Sequence, residues 1–335
     1  MSLLTAWKGL VKIKTIPGEM YVLPALPPHL AFTQGRHFFL KPYTGNDSAD
    51  GTTPARAFKT FSRALAAMTA NQNDILYVLS ESNTTAQTSS YLTTTLTWNK
   101  DLCHIIGVGS GNPYNQRTRI AWSSGAASAS DIPLMTVSAN GCYFSNLCLA
   151  VGSSDANLSF GLNVTGDRNT FENISVAFPQ NATNDCAGAY ALKIDGADEC
   201  LFKNCAFGSF TIDLGTAANQ VLLIDSGVSF TVFENCKFIA RIESSTNSPI
   251  VRTADAASIG FGCVWFDRCK FISTSVNGAT AQNGTMKIAT QTDGRIVATD
   301  CWHNGGKFDV DDHNMILNGC TGVPIDDNAG EVLAV

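Results

Sequence analysis

The sequence predicts an all-β chain, a right-handed parallel β-helix whose backbone coils into stacked rungs from about Phe38 to the C-terminus. Three observations carry this prediction. A six-residue segment recurs at a nearly constant interval. A second short apolar strand precedes each copy at an almost fixed distance. The composition, rich in Gly, Ser, Thr, Asn and Ala, suits tight turns and strands better than long helices.

The recurring segment reads FSNLCL from Phe144, FENISV from Phe171, FKNCAF from Phe202, FENCKF from Phe233 and FDRCKF from Phe266. Weaker copies are ATDCWH from Ala298 and LNGCTG from Leu317, and successive starts lie 27, 31, 31, 33, 32 and 19 residues apart. Val137, Val164, Ile194 and Ile224 lie 7, 7, 8 and 9 residues before the next Phe, so each rung holds at least two strands and a longer, variable connection.

Rungs stack about 4.8 Å apart, which places equivalent side chains above one another. Position one stacks Phe144, Phe171, Phe202, Phe233 and Phe266 as rings inside the core. Position three offers an amide ladder, Asn146, Asn173, Asn204 and Asn235, which fails at Arg268, Asp300 and Gly319. Position four runs Leu147, Ile174, Cys205, Cys236, Cys269, Cys301 and Cys320, an inward column where a thiol packs as a small hydrophobe.

The chain divides at residue 37. Residues 1–37 form an extended N-terminal arm, with LPALPPHL (Leu23 to Leu30) as polyproline II. Its apolar residues Leu3, Leu4, Trp7, Leu10, Val11, Ile13, Leu23 and Leu26 are too many for a solvated tail and read as a partner-binding surface. Residues 38–335 form one β-helix domain with rungs over about 75–325. Phe38 to Leu40 reads as a strand, GNDSADGT as a loop and Ile75 to Leu79 as the next strand. Between them, Pro54 to Met68 reads as a helix with Phe58, Phe61, Leu65 and Met68 on one face.

Hydrophobic residues at 44% and charged residues at 15% describe an ordered protein. Net charge is −6 without a basic stripe, which excludes nucleic acid as the expected partner. No apolar run approaches the ~20 residues of a membrane span. The opening MSLLTAWKGLVKIK is broken by Lys8, Lys12 and Lys14 and reads as no signal peptide. The 11 cysteines, odd in number and one per rung in the column, read as free buried thiols, with no metal and no cofactor expected.

No acid–base pair stands out, so no catalytic residue is assigned. Were the chain an enzyme, the densest candidate is Asp309, Asp311, Asp312 and His313, near Cys301, His303 and Lys307. Asp195 and Asp225 occupy equivalent positions and could pair across a rung, although an Asx-type turn is the simpler reading. Asp47 and Asp50 read as turn makers, while His29, His37 and His104 read as surface or satisfied core residues. Trp98, Trp122 and Trp302 are candidates for stacking on sugars or for burial.

The loop-helix segment GNDSADGTTPARAFKTFSRAL and the F-x-N-C-x-F rungs resemble pectin-lyase-like right-handed β-helix proteins across roughly residues 38–325. The resemblance implies that the helix covers the open end of the solenoid. The calcium carboxylates and arginine of the family's pectate lyases, and the aspartates of its polygalacturonases, have no matching positions here. The chain also resembles bacteriophage virion β-helix proteins, commonly homotrimers. That resemblance implies a non-enzymatic capsid decoration or cement protein, gripping the major capsid protein or another virion protein through its arm. It would be made in the host bacterial cytoplasm and carried on the virion's capsid surface. The alternative is a tailspike-type receptor-binding protein or depolymerase of host surface polysaccharide.

Overall fold

A computed structural model describes residues 13–16, 19–22, 35–80, 89–109, 118–122, 132–152, 157–158, 160–215, 219–242, 250–275, 285–304, 308 and 315–323. Among them three parallel sheets wind around one core. Sheet 1 has ten strands, from His37–Leu40 to Met315–Asn318. Sheet 2 has nine, from Ser89–Leu92 to Thr321–Val323, and sheet 3 has seven, from Leu96–Trp98 to Met286–Lys287. A rung runs through sheet 3, sheet 1 and sheet 2 in turn, as in Pro133–Val137, Tyr143–Ser145 and Cys148–Ala150.

The recurrent hexapeptide is therefore two strands and a corner. Position one belongs to sheet 1, and position five begins a strand of sheet 2. Position three turns the chain, with φ between 50° and 65° at Asn146, Asn173, Asn204, Asn235, Arg268, Asp300 and Gly319. Asn tolerates this left-handed conformation better than most residues, which explains its choice there. The amides add bonds between rungs: Nδ2 of Asn173 donates to Oδ1 of Asn146 (2.6 Å), and Nδ2 of Asn235 to Oδ1 of Asn204 (2.7 Å). Where the amides end at Arg268, the corner persists and the guanidinium pairs with Glu234 (3.0 Å) and Asp267 (2.8 Å).

A second left-handed corner joins sheet 3 to sheet 1. Leu102, Gly141, Arg168, Glu199 and Phe230 occupy it, and Asn73 takes the matching place between the helix and Ile75–Leu79, all with φ between 50° and 65°. No residue type repeats among them, so the sequence does not advertise this column.

The interior follows the predicted stacking. Phe144, Phe171, Phe202, Phe233 and Phe266 lie in register, with centroids 4.7–4.9 Å apart and ring planes within 14°. In sheet 2 a second stack, Phe207, Phe238 and Phe271, meets the first edge-on. Cys205, Cys236, Cys269, Cys301 and Cys320 each donate a thiol hydrogen bond to a carbonyl of the preceding rung at 3.3–3.4 Å. A further inward column, Cys103, Cys142 and Cys200, lines the other corner. Burial pushes these three thiols up to about 11, about 12 and about 12, so they stay protonated and serve packing.

The predicted helix over 54–68 is broken. Pro54–Arg56 forms a 3₁₀ turn and only Phe61–Ala67 is α-helical. The cause is Phe58, whose N–H donates to Phe39 and whose carbonyl accepts from Lys41, both at 2.8 Å, so its backbone is spent on the neighbouring strand. Thr60 then caps the helix by accepting from the N–H of Arg63. Phe58, Phe61, Ala64 and Met68 join the solenoid core, with Leu65 partly buried against it.

Within the arm, Ile13–Ile16 and Glu19–Val22 pair antiparallel, joined by Pro17-Gly18. The arm is thus folded back on itself there instead of running extended. Leu3, Leu4, Trp7, Leu10, Val11, Leu23, Leu26 and the proline-rich stretch lie outside the described residues, as does the side chain of Ile13.

Candidate functional site

Asp309, Asp311, Asp312, His313 and Lys307 lie outside the described residues. Their neighbour His303 points into the core of sheet 2, bonded through Nδ1 to the Thr285 hydroxyl (3.1 Å) and packed on Phe308. Burial pushes its pKa down, which keeps the imidazole neutral. His104 is likewise a satisfied core residue: its Nδ1 accepts the Tyr143 N–H (3.0 Å) and its Nε2 lies 3.2 Å from Oδ1 of Asn73. His37 stacks on Tyr77. Asp47 accepts from the backbone of Lys59 and Thr60, and Asp50 accepts from Thr52 and pairs with Arg56, so both tie the loop together as turn makers do.

Trp98 and Trp122 are buried, which removes them as sugar-stacking surfaces. The Trp98 indole donates to the carbonyl of Cys103 (3.0 Å). Trp302 is half-buried.

Asp195 and Asp225 do come together. They are register partners at the ends of two adjacent strands of sheet 3, each leading into a left-handed turn at Gly196 or Ser226. Lys193 stands between them, its Nζ 2.9 Å from Oδ2 of each. The Ser226 hydroxyl donates to the second oxygen of Asp195 (2.6 Å). Partial burial alone would raise the Asp195 pKa. The Ser226 bond and the ammonium outweigh it and hold the carboxyl below its usual range. The same balance raises Lys193 above its usual value, because two carboxylates overcome its desolvation. Lys193 and Asp195 are therefore both ionised at neutral pH. A charged trio of this kind can bind and orient the hydroxyls of a ligand.

Lys193 belongs to a column on the outer face of sheet 3 that the sequence reading missed. By register it runs Thr97, Thr136, Asn163, Lys193, Leu223, Arg252 and Lys287. Apart from Leu223 it is a line of hydroxyl, amide and cationic groups on an acidic protein. The Oδ1 of Asn163 is buried beside Lys193 and has no hydrogen-bond partner among the described residues. At the edge of this face, Phe160 stacks on Tyr190 with centroids 4.5 Å apart. The available signal was short-range: in LKID the Lys lies two residues before the Asp, on the same face of a strand.

A separate groove of about 560 Å³ opens at the N-terminal end, between the helix and the turn before Leu96–Trp98. Lys59, Thr60, Ser62, Thr93, Thr94 and Thr95 bring hydroxyls and one ammonium to it, beside the apolar Phe61, Leu65, Leu92 and Leu96.

The sequence matches no family model and no curated protein. Solved structures do match. A pectin methylesterase in complex with a hexasaccharide aligns at 14% identity with a TM-score of 0.57, over 85% of this chain and 89% of that one. The pectin methylesterase of Erwinia chrysanthemi aligns at 13% identity and 0.57, over 89% and 92%. A pectate lyase aligns at 15% and 0.53, over 83% of this chain and 65% of its own. The fold is that of the pectin-lyase-like right-handed parallel β-helix. At these identities the match speaks for architecture, and activity has to be argued from side chains.

Proposed function

We propose that this β-helix binds polysaccharide along the outer face of sheet 3, as a receptor-binding protein of the bacteriophage tailspike type. The observation that carries the reading is the column Asn163, Lys193, Leu223, Arg252 and Lys287, with Lys193 clamped between Asp195 and Asp225. Leu223 apart, it sets polar groups along one line at multiples of the rung spacing, about 4.8 Å. An extended glycan needs such a row of donors and acceptors, and Arg252 and Lys287, which enter no ion pair among the described residues, favour acidic sugars locally despite the net charge of −6. The neighbours in fold are named for pectin and pectate, which makes an acidic polysaccharide the first ligand to try. The full chain should be retarded in gels containing polygalacturonate, with retardation that fades at high salt. Replacing both Lys193 and Arg252 by Ala should weaken it about ten-fold. Equal mobility with and without the polymer, or an unaffected double variant, sinks the reading.

A second reading rests on the arm. The hairpin Ile13–Ile16 with Glu19–Val22 forms its own two-stranded sheet, apart from the three sheets of the solenoid. Such a hairpin is marginal in water by itself and needs a surface to lie on. The apolar residues around it suit attachment of a capsid decoration protein to the major capsid protein, with homotrimeric solenoids projecting from the virion. Deleting residues 1–30 should leave a folded solenoid that no longer joins particles. Full occupancy by the truncated chain would show that the arm is not the anchor.

A further inference from the structure

The corner between sheet 3 and sheet 1 carries three aromatic rings on its solvent side. Phe261 is 85% exposed and Phe230 45% exposed. Trp265 is half-buried, with its ring 6.1 Å from Phe230 and inclined at 30° to it. Gly262, at φ 131°, lies against the Phe230 ring, where a Cβ would come within 2.9 Å. The glycine therefore lets the ring lie close on the turn. Phe230 itself sits at φ 54°, in the column that Asn73 and Gly141 fill at lower backbone cost. Packing does not account for a large ring placed at a costly backbone position and left half in water.

Polar groups frame the rings. Arg168 and Glu199 form an ion pair in the same corner column on the two preceding rungs. Exposed Arg295 follows on the next rung, its N–H bonded to the carbonyl of Gly262 (3.1 Å). At ~150–250 Å² per ring, the exposed aromatic surface comes to roughly 400 Å² at most. A stable protein interface covers about 800 Å² per partner, so the patch is small for a second copy of the chain. It suits a pair of sugar rings.

We propose that Phe230, Phe261 and Trp265 form a platform for the apolar C–H faces of pyranose rings, with Arg295 and Glu199 available to their hydroxyls. This site goes beyond the charged face of sheet 3, because its chemistry favours neutral sugars and does not depend on salt.

The test is affinity electrophoresis of the full chain in gels containing neutral mixed-linkage β-glucan. The wild-type chain should be retarded to the same extent at low and high salt. Phe261→Ala and Trp265→Ala should each weaken retardation at least about five-fold. The Lys193→Ala, Arg252→Ala double variant should behave as wild type in β-glucan, which separates this site from the charged face. Because Phe261 is so exposed, its replacement should leave the circular dichroism spectrum unchanged. Absence of retardation of the wild type by β-glucan overturns the proposal, and so does a Phe261→Ala variant retarded as strongly. A third overturning result is a Phe261→Ala chain that sediments as a smaller species than wild type while binding glucan equally. That would make the platform a contact between copies.

Discussion

Replacing Phe233 by alanine should destabilise the protein by about 4 kcal/mol, measured by urea denaturation. The ring is fully buried between Phe202 (4.8 Å) and Phe266 (4.9 Å), with Phe238 and Phe207 set edge-on against it. The cost comes from lost transfer energy and from the cavity left behind, and collapse is the only relief. Here collapse is blocked, because rung spacing is set by backbone hydrogen bonds on either side: Phe233 pairs with Phe202 and with Phe266 in a parallel ladder. The two stacking contacts add ~0.5–1.5 kcal/mol each beyond burial. Phe261→Ala supplies an internal control of the same chemistry at an exposed position, and it should change stability by less than about 0.5 kcal/mol. If the two variants unfold alike, the aromatic column is not what holds the rungs together.

That column was legible in the sequence because the interior of a solenoid repeats itself. Each inward side chain meets its own kind from the rungs above and below, so Phe follows Phe and Cys follows Cys. Corners are less legible. The Asn146 to Asn235 ladder marks one corner, yet Arg268 and Asp300 keep the same backbone turn without the amide signal. The other corner uses Leu102, Arg168, Glu199 and Phe230 in succession, and nothing in that set repeats. The reading of at least two strands per rung still separates Val137 from Phe144 across this corner, and the third strand comes from the turn at Asn146 inside the hexapeptide. The outer face is least legible, since water tolerates Thr136, Asn163, Lys193 and Leu223 in one column equally well. Lys193 was missed for that reason, although its partners Asp195 and Asp225 were noticed through their equivalent positions. The helix was overextended because helical spacing of Phe58 and Phe61 ignores competition from the strand Phe58 bonds to.

The ends of the solenoid obey a different rule, and Asp74 shows it. A terminal rung has a neighbour on one side only, so stacking gives it half of what an inner rung gains. Polar ties make up the difference. The fully buried Asp74 carboxylate accepts from the N–H of Arg36 (2.7 Å), the N–H of Thr69 (2.8 Å) and the Arg36 guanidinium (3.1 Å). The same guanidinium donates to the carbonyl of Ala67, at the end of the helix, and lies over the Phe38 ring. One side chain thus joins the first strand, the helix and the second strand. Asp74→Ala removes three hydrogen bonds, one of them to a charged donor, and leaves backbone N–H groups unpaired in the interior. The expected loss is about 3 kcal/mol, with Asp74→Asn losing roughly half because its single acceptor oxygen still serves one N–H. Hydrogen exchange should locate the damage at His37–Leu40 and leave the Phe202 to Phe266 rungs protected. A uniform rise in exchange along the chain, or stability unchanged within about 0.5 kcal/mol, would mean the first rung is held by something other than this carboxylate.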